Sequence, residues 1–211
     1  MEKKKGILIL DLDKTLLRGI PFLTYVRKRI ESKPMGRLTL RLSRIAWRLG
    51  IRTKSDTLRK MALWAIRRFF IREPVPLHPE MFNRDVLSVV SHLARRGWDI
   101  RVVSSAPPEA YITALWVLRS AGNIELVHAP GIDDKRRELV RALQEHRNVI
   151  VLDDELLGGE KILTKKVSML KELIAKGELE ERPLKRLGVH ASSVLERLER
   201  TRRLRVHRSK P

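Results

Sequence analysis

The chain has 211 residues, 43% of them hydrophobic, enough for one sizeable core and a small inserted or appended module. It has no cysteine, which excludes disulfides and thiolate metal sites, and no apolar run near the roughly 20 residues that span a bilayer. A net charge of +20 draws such a chain toward phosphate-bearing partners.

The charge is unevenly spread. Residues 18–77 hold 16 Lys/Arg against 3 Asp/Glu, and residues 161–211 hold 15 against 6. Residues 78–160 hold 10 against 13. Gln144 is the only glutamine, and the asparagines are Asn83, Asn123 and Asn148. That scarcity also fits a thermophilic source, whose surfaces are rich in charge for reasons unrelated to a partner.

The opening MEKKKGILILDLD is basic, then apolar, but too short and too soon acidic for a secretory signal, so the expected location is the cytoplasm. Ile7–Leu10 is the first of four short apolar runs, with Ile100–Val103, Ile124–Val127 and Val149–Leu152. None alternates, as expected of strands covered on both faces. The stretches between them predict helices at Pro79–Gly97, with Val86, Val89, Val90 and Leu93 at helical spacing, at Pro108–Ala121 and at Lys135–His146. The expected fold is an α/β Rossmann-like parallel sheet with helices on both faces.

Residues 18–77 interrupt this pattern without a convincing strand. They predict one helix over Arg37–Leu49, with Leu38, Leu42, Ile45 and Leu49 on one side and Arg37, Arg41, Arg44 and Arg48 on another. A second runs from Ser55, as N-cap, to Phe70, with Leu58, Met61, Ala62, Ala65 and Phe69 as its apolar stripe, and Pro74 and Pro76 close the segment. Trp47, Trp64, Phe69 and Phe70 are expected in the core. After residue 155 no fifth strand is evident; Leu163, Val167, Leu170 and Ile174 form a stripe ended by Gly177, and "SVLE" at Ser193–Glu196 resembles a capping box opening a last helix. The organisation expected is a core of residues 1–17 plus 78–160, a basic helical cap at 18–77 and a basic helical extension at 161–211.

Ligands of parallel α/β sheets sit at the carboxyl ends of strands. Asp11 and Asp13 follow the first strand, Ser104 and Ser105 the second, and Asp153 and Asp154 the fourth. Crowded carboxylates repel unless a cation neutralises them, and hard oxygen donors select Mg²⁺. One carboxylate can then attack phosphorus while another shuttles a proton.

With these residues the chain resembles the haloacid dehalogenase superfamily of phosphohydrolases. DLDKT at Asp11–Thr15 matches its DxDx[TV] motif, Ser104 its strand-ending serine, Lys135 its helix-opening lysine, and LDDE at Leu152–Glu155 its paired aspartates. The basic insertion falls where that superfamily places a cap. The resemblance implies Asp11 as nucleophile and Mg²⁺ ligand, and Asp13 as general acid and base with its carbonyl on the metal. It implies Thr15 as the brace of the turn beside the substrate, Ser104 and Lys135 on the phosphoryl group, and Asp154 on the metal with Asp153 beside it. Ser105 rivals Ser104 as the substrate contact, and the alternative for Lys135, among Asp133, Asp134, Arg136 and Arg137, is an ordinary surface residue. The glycine-aspartate pattern usual after the paired aspartates is missing; only Glu155 and Glu160 follow.

The function expected is a Mg²⁺-dependent phosphatase acting on an anionic phosphomonoester, either a small molecule or a nucleic-acid end. The alternative is an RNA- or DNA-binding protein on the same fold, motivated by the basic cap and tail. A membrane surface, suggested by basic amphipathic helices with tryptophans, ranks last among the partners. The six histidines show no metal-ligand spacing, and no Gly-rich nucleotide loop is present.

Overall fold

The computed structural model describes residues 4–19, 35–53, 77–106 and 124–208, together with residues 24, 55, 57, 58, 60–62, 64, 114, 118 and 119. Four strands, β1 (Lys4–Leu10), β2 (Asp99–Ser104), β3 (Ile124–His128) and β4 (His146–Leu152), form one parallel sheet in the order β3-β2-β1-β4. Ile7 to Leu10 and Val149 to Leu152 are all buried. Alternate strand residues point to opposite faces, so both faces of the sheet are covered there. β3, at one edge of the sheet, departs from the expectation: Glu125 and His128 are exposed and its apolar residues half-buried.

Seven helices are described: α1 (Gly36–Thr53), α2 (Arg84–Arg95), α3 (Ile132–Glu145), α4 (Asp154–Leu157), α5 (Glu160–Lys176), α6 (Glu181–Leu187) and α7 (Ala191–Arg208). α2 packs on β2 and α5, while α3 packs on β4, β1 and α7. The expected start of α2 is shifted: Pro79–Met81 is a short 3-10 turn, and Asn83 caps α2 by accepting from the backbone N–H groups of Asp85 and Val86. No described helix is long and apolar enough to cross a membrane.

The C-terminal helices share the sheet's core. Leu163, Val167, Leu170 and Ile174 of α5 are buried in one cluster with Val149–Leu152, and so are Leu184 and Val194. Gly177 ends α5 in the left-handed conformation. The chain after α6 runs along the free edge of β4, where the Val151 N–H donates to the Val189 carbonyl at 2.7 Å and His190 bridges Ile150. This contact sets the start of α7 at Ala191, so Ser193–Glu196 lies within the helix rather than at its cap.

His190 is 1% exposed, with Nδ1 2.8 Å from Ser192 Oγ and a buried Nε2 without a partner. Burial holds its pKa below the ordinary 6.5, against the pull of Glu181 and with the help of Lys185. A depressed histidine contributes stability above its unfolded pKa and loses it as pH falls through the folded value. Thermal melts from pH 7 to 5 should therefore show a loss in wild type that His190→Gln reduces; equal losses would assign the acid lability elsewhere.

Gly6, on β1, faces Trp98, and a Cβ there would lie 2.6 Å from the indole ring. Gly6→Ala should cost about 2 kcal/mol by overpacking, read as a lower denaturation midpoint. An unchanged midpoint would mean that the ring yields.

In the inserted segment the expectation that Trp64 lies in the core fails, since it is exposed, while Trp47 is half-buried. Leu38, Leu42, Ile45 and Leu49 do not face the interior; they are 44–57% exposed, and Leu40 and Ser43 supply the buried side of α1. Met61 is exposed as well, while Ala62 is buried. A helical stripe reports amphipathicity but not which neighbour it meets. The described residues between 57 and 64 are helical, and Ser55 Oγ accepts from the Leu58 N–H at 3.4 Å, as an N-cap should. Ala65, Phe69, Phe70, Pro74 and Pro76 lie outside the described residues. So does most of the helix expected at Pro108–Ala121, of which Ala114 and Leu118 are helical and buried.

Candidate functional site

Because the strands are parallel, the residues that follow β1, β2 and β4 emerge at one rim. The chain steps outward from β1 to β2 to β3, then crosses back to set β4 on the other side of β1. In open α/β sheets ligands bind where the order reverses. Asp11 and the Asp153–Asp154 pair flank that point, joined by the Asp11 N–H donating to the Leu152 carbonyl at 2.9 Å.

Carboxylate oxygens of Asp11, Asp153 and Asp154 lie within 4.8 Å of one another. Lys135, in the first turn of α3, is 4% exposed and reaches into this cluster. Its Nζ stands 2.7 Å from Asp153 Oδ2, 3.4 Å from Asp11 Oδ2 and 3.8 Å from Glu155 Oε2. The surface alternative for Lys135 is therefore excluded. Asp153 is engaged on both oxygens, since its Oδ1 also accepts from the Leu156 N–H and caps α4. Asp11 Oδ1, by contrast, is buried without a hydrogen-bond partner.

The electrostatics follow from this crowding. Burial, reinforced by Asp153 and Asp13, drives the Asp11 pKa well above its ordinary value, with Lys135 and the Leu12 N–H only partly opposing it. Asp154 is raised too, by burial and by Asp153, against the pull of Lys14 and Lys135. For Lys135, burial favours the neutral amine, but Asp11, Asp153 and Glu155 outweigh it and hold the ammonium form.

Thr15 is fully buried, and its Oγ1 accepts from the Asp154 N–H at 3.1 Å. That bond ties the loop after β1 to the loop after β4, a bracing position rather than a surface contact. The first loop is tight: the Leu17 N–H donates to the Leu12 carbonyl and the Lys14 N–H to the Gly19 carbonyl, both at 2.8 Å. Lys14 is held at φ 58°, a left-handed conformation that few side-chain-bearing residues adopt. Asp13 sits partly buried in this turn, and its side chain is not among the three converging carboxylates. Ser104 is 2% exposed, and its Oγ accepts from the Ala106 N–H at 3.2 Å; Ser105 beside it is half-buried.

Three contributors were not legible in the sequence. Glu155 faces Lys135 because α4 begins at Asp154. Lys14 acts on Asp154 across the rim. Lys60 Nζ, from the inserted segment, pairs with Asp134 Oδ2 at 3.2 Å, next to Lys135. No spacing rule marks such long-range partners. Among the described residues no histidine joins the cluster.

A cavity among the described residues lies elsewhere. It measures about 120 Å³ and is lined by Asp99, Arg101, Glu125, Glu145 and His146 among others. Asp99 and His146 open β2 and β4, so this cavity is at the opposite end of the sheet. Its buried Arg101 is committed to Glu125 at 2.6 Å and Glu145 at 3.1 Å. It is an ion-paired seam, and the carboxylate rim is the stronger candidate.

Compared with protein-family models the chain finds no match, and compared with curated proteins it finds none either.

Proposed function

We propose that this chain is a Mg²⁺-dependent phosphomonoesterase of the haloacid dehalogenase type, working in the cytoplasm. The observation that carries the reading is the meeting of Asp11, Asp153 and Asp154 within 4.8 Å around a buried lysine. A hard divalent cation fits the donors present, which are carboxylate oxygens, one of them a buried Asp11 oxygen with no partner. Asp11 and Asp154 would hold it, with the Asp13 carbonyl, while Asp153 is more committed to Lys135 and the α4 cap. When bound, Mg²⁺ neutralises phosphoryl oxygens and relieves the repulsion among the carboxylates.

In this reading Asp11 attacks phosphorus through one carboxylate oxygen, the ester P–O bond breaks, and the leaving oxygen takes a proton from Asp13. Water then gives a proton to Asp13 as its oxygen attacks the aspartyl-phosphate, and the acyl P–O bond breaks to release inorganic phosphate and Asp11. Lys135 and the Ser104 hydroxyl stabilise the charge on the transferring group. Thr15 keeps the two aspartate loops in register. The inserted segment, tethered beside Lys135 by Lys60, supplies positive charge that suits an anionic substrate.

A panel of aryl phosphates, phosphorylated metabolites and phosphorylated oligonucleotide ends tests the proposal. Hydrolysis should require Mg²⁺ and stop in EDTA. No turnover of any phosphomonoester by the Mg²⁺-supplied wild type would defeat it.

A further inference from the structure

α1 carries an exposed apolar stripe that stands outside the buried core of the described residues. Leu38, Leu42, Ile45 and Leu49, with Met35 just before the helix, recur at intervals of three and four residues and are 44–68% exposed. At about 100° per residue they occupy one strip of the helix. Arg37, Arg41, Arg44, Arg48 and Arg52, all exposed, form the adjoining strip. Leu40 and Ser43 lie on the opposite, buried side. The 19 residues from Met35 to Thr53 contain no acidic side chain. The outward face of α1 is thus half aliphatic and half guanidinium.

This composition selects the occupant. A second copy would satisfy the leucines but bring two arginine strips together with no carboxylate between them. A nucleic acid would satisfy the arginines but leave the aliphatic strip in water. An anionic lipid surface satisfies both: phosphate headgroups pair with guanidinium groups while the aliphatic side chains enter the acyl boundary. α1 is not long and apolar enough to cross a bilayer, so it would lie in the interface plane. We propose that α1 is a docking helix for an anionic membrane surface. This inference goes beyond the phosphatase reading and does not depend on it.

Flotation of the full chain with vesicles tests it. Vesicles of equal phosphatidylglycerol and phosphatidylcholine should carry the protein, and pure phosphatidylcholine vesicles should not. Leu42→Glu with Ile45→Glu, both at exposed positions, should keep the wild-type melting curve and weaken binding by about tenfold or more. Unchanged binding by that double variant, equal binding to neutral vesicles, or no binding at all would each overturn the proposal. So would sedimentation velocity showing a wild-type dimer that the double variant dissolves, or single-stranded RNA binding that the same substitutions abolish.

Discussion

Asp11→Asn should lower hydrolysis of an aryl phosphate by about a thousandfold or more while raising, not lowering, the melting temperature in EDTA at neutral pH. The first effect follows from removing the attacking oxygen in the proposed reaction. The second follows from burial, which with Asp153 and Asp13 holds the Asp11 pKa well above its ordinary 3.8 despite Lys135. A carboxyl raised in the folded state stabilises below its unfolded pKa, and that contribution is lost as pH rises through the folded value. In the absence of a cation, wild-type stability should carry this loss as pH rises above 4, and the asparagine variant should not. Mg²⁺ should then stabilise wild type more than the variant. Retained turnover in Asp11→Asn would remove the nucleophile assignment, and identical pH and Mg²⁺ responses would remove the cation site.

Lys135→Met should destabilise the metal-free protein by about 3 kcal/mol, the scale of a buried charge cluster that loses its partner. The ammonium stands between Asp11 and Asp153 and within reach of Glu155. Its own pKa is raised above the ordinary 10.5 because those carboxylates outweigh burial, so its contribution is full throughout the neutral range and fades only at higher pH. Without it the carboxylates must protonate or repel, so the deficit should grow from pH 5 to pH 8. Denaturant titrations at both pH values measure this. Excess Mg²⁺ should recover part of the loss by replacing one cation with another. A loss under about 1 kcal/mol would place Lys135 outside the cluster's energetics, and no recovery would mean that the carboxylates hold no cation. Activity should fall as well, since the same ammonium faces the transferring phosphoryl group in the proposed reaction.

The two variants separate questions that a single assay would merge. Asp11→Asn removes a negative charge from an over-crowded site, whereas Lys135→Met removes the positive charge that balances it. Opposite shifts in stability with a shared loss of activity are expected only if the site is strained for its chemistry.

The sheet was legible because each strand is short, continuous and apolar, and each ends in a turn rich in polar residues. Its parallel order, and hence the common rim for Asp11, Ser104 and Asp153–Asp154, followed from the helices between them. For Thr15 only the resemblance implied a brace, and its hydrogen bond from the Asp154 N–H was not legible in the sequence. Lys135 was ambiguous in sequence because its neighbours are charged and exposed; only the packing of α3 on β4 and β1 turns its side chain inward. The two strips of α1 were legible, but not which of them would face outward, as periodicity is identical whether a strip meets a core or the outside.

By itself, then, the sequence determined the strands, the residues at their carboxyl ends and the charge of the inserted segment, because these depend on local patterns of polarity. The tertiary structure decided which charged groups are buried together, where α7 begins and which side of α1 faces outward. Those outcomes depend on contacts between residues far apart in the chain, such as Lys135 with Asp11 or Val151 with Val189, and local polarity carries no record of them.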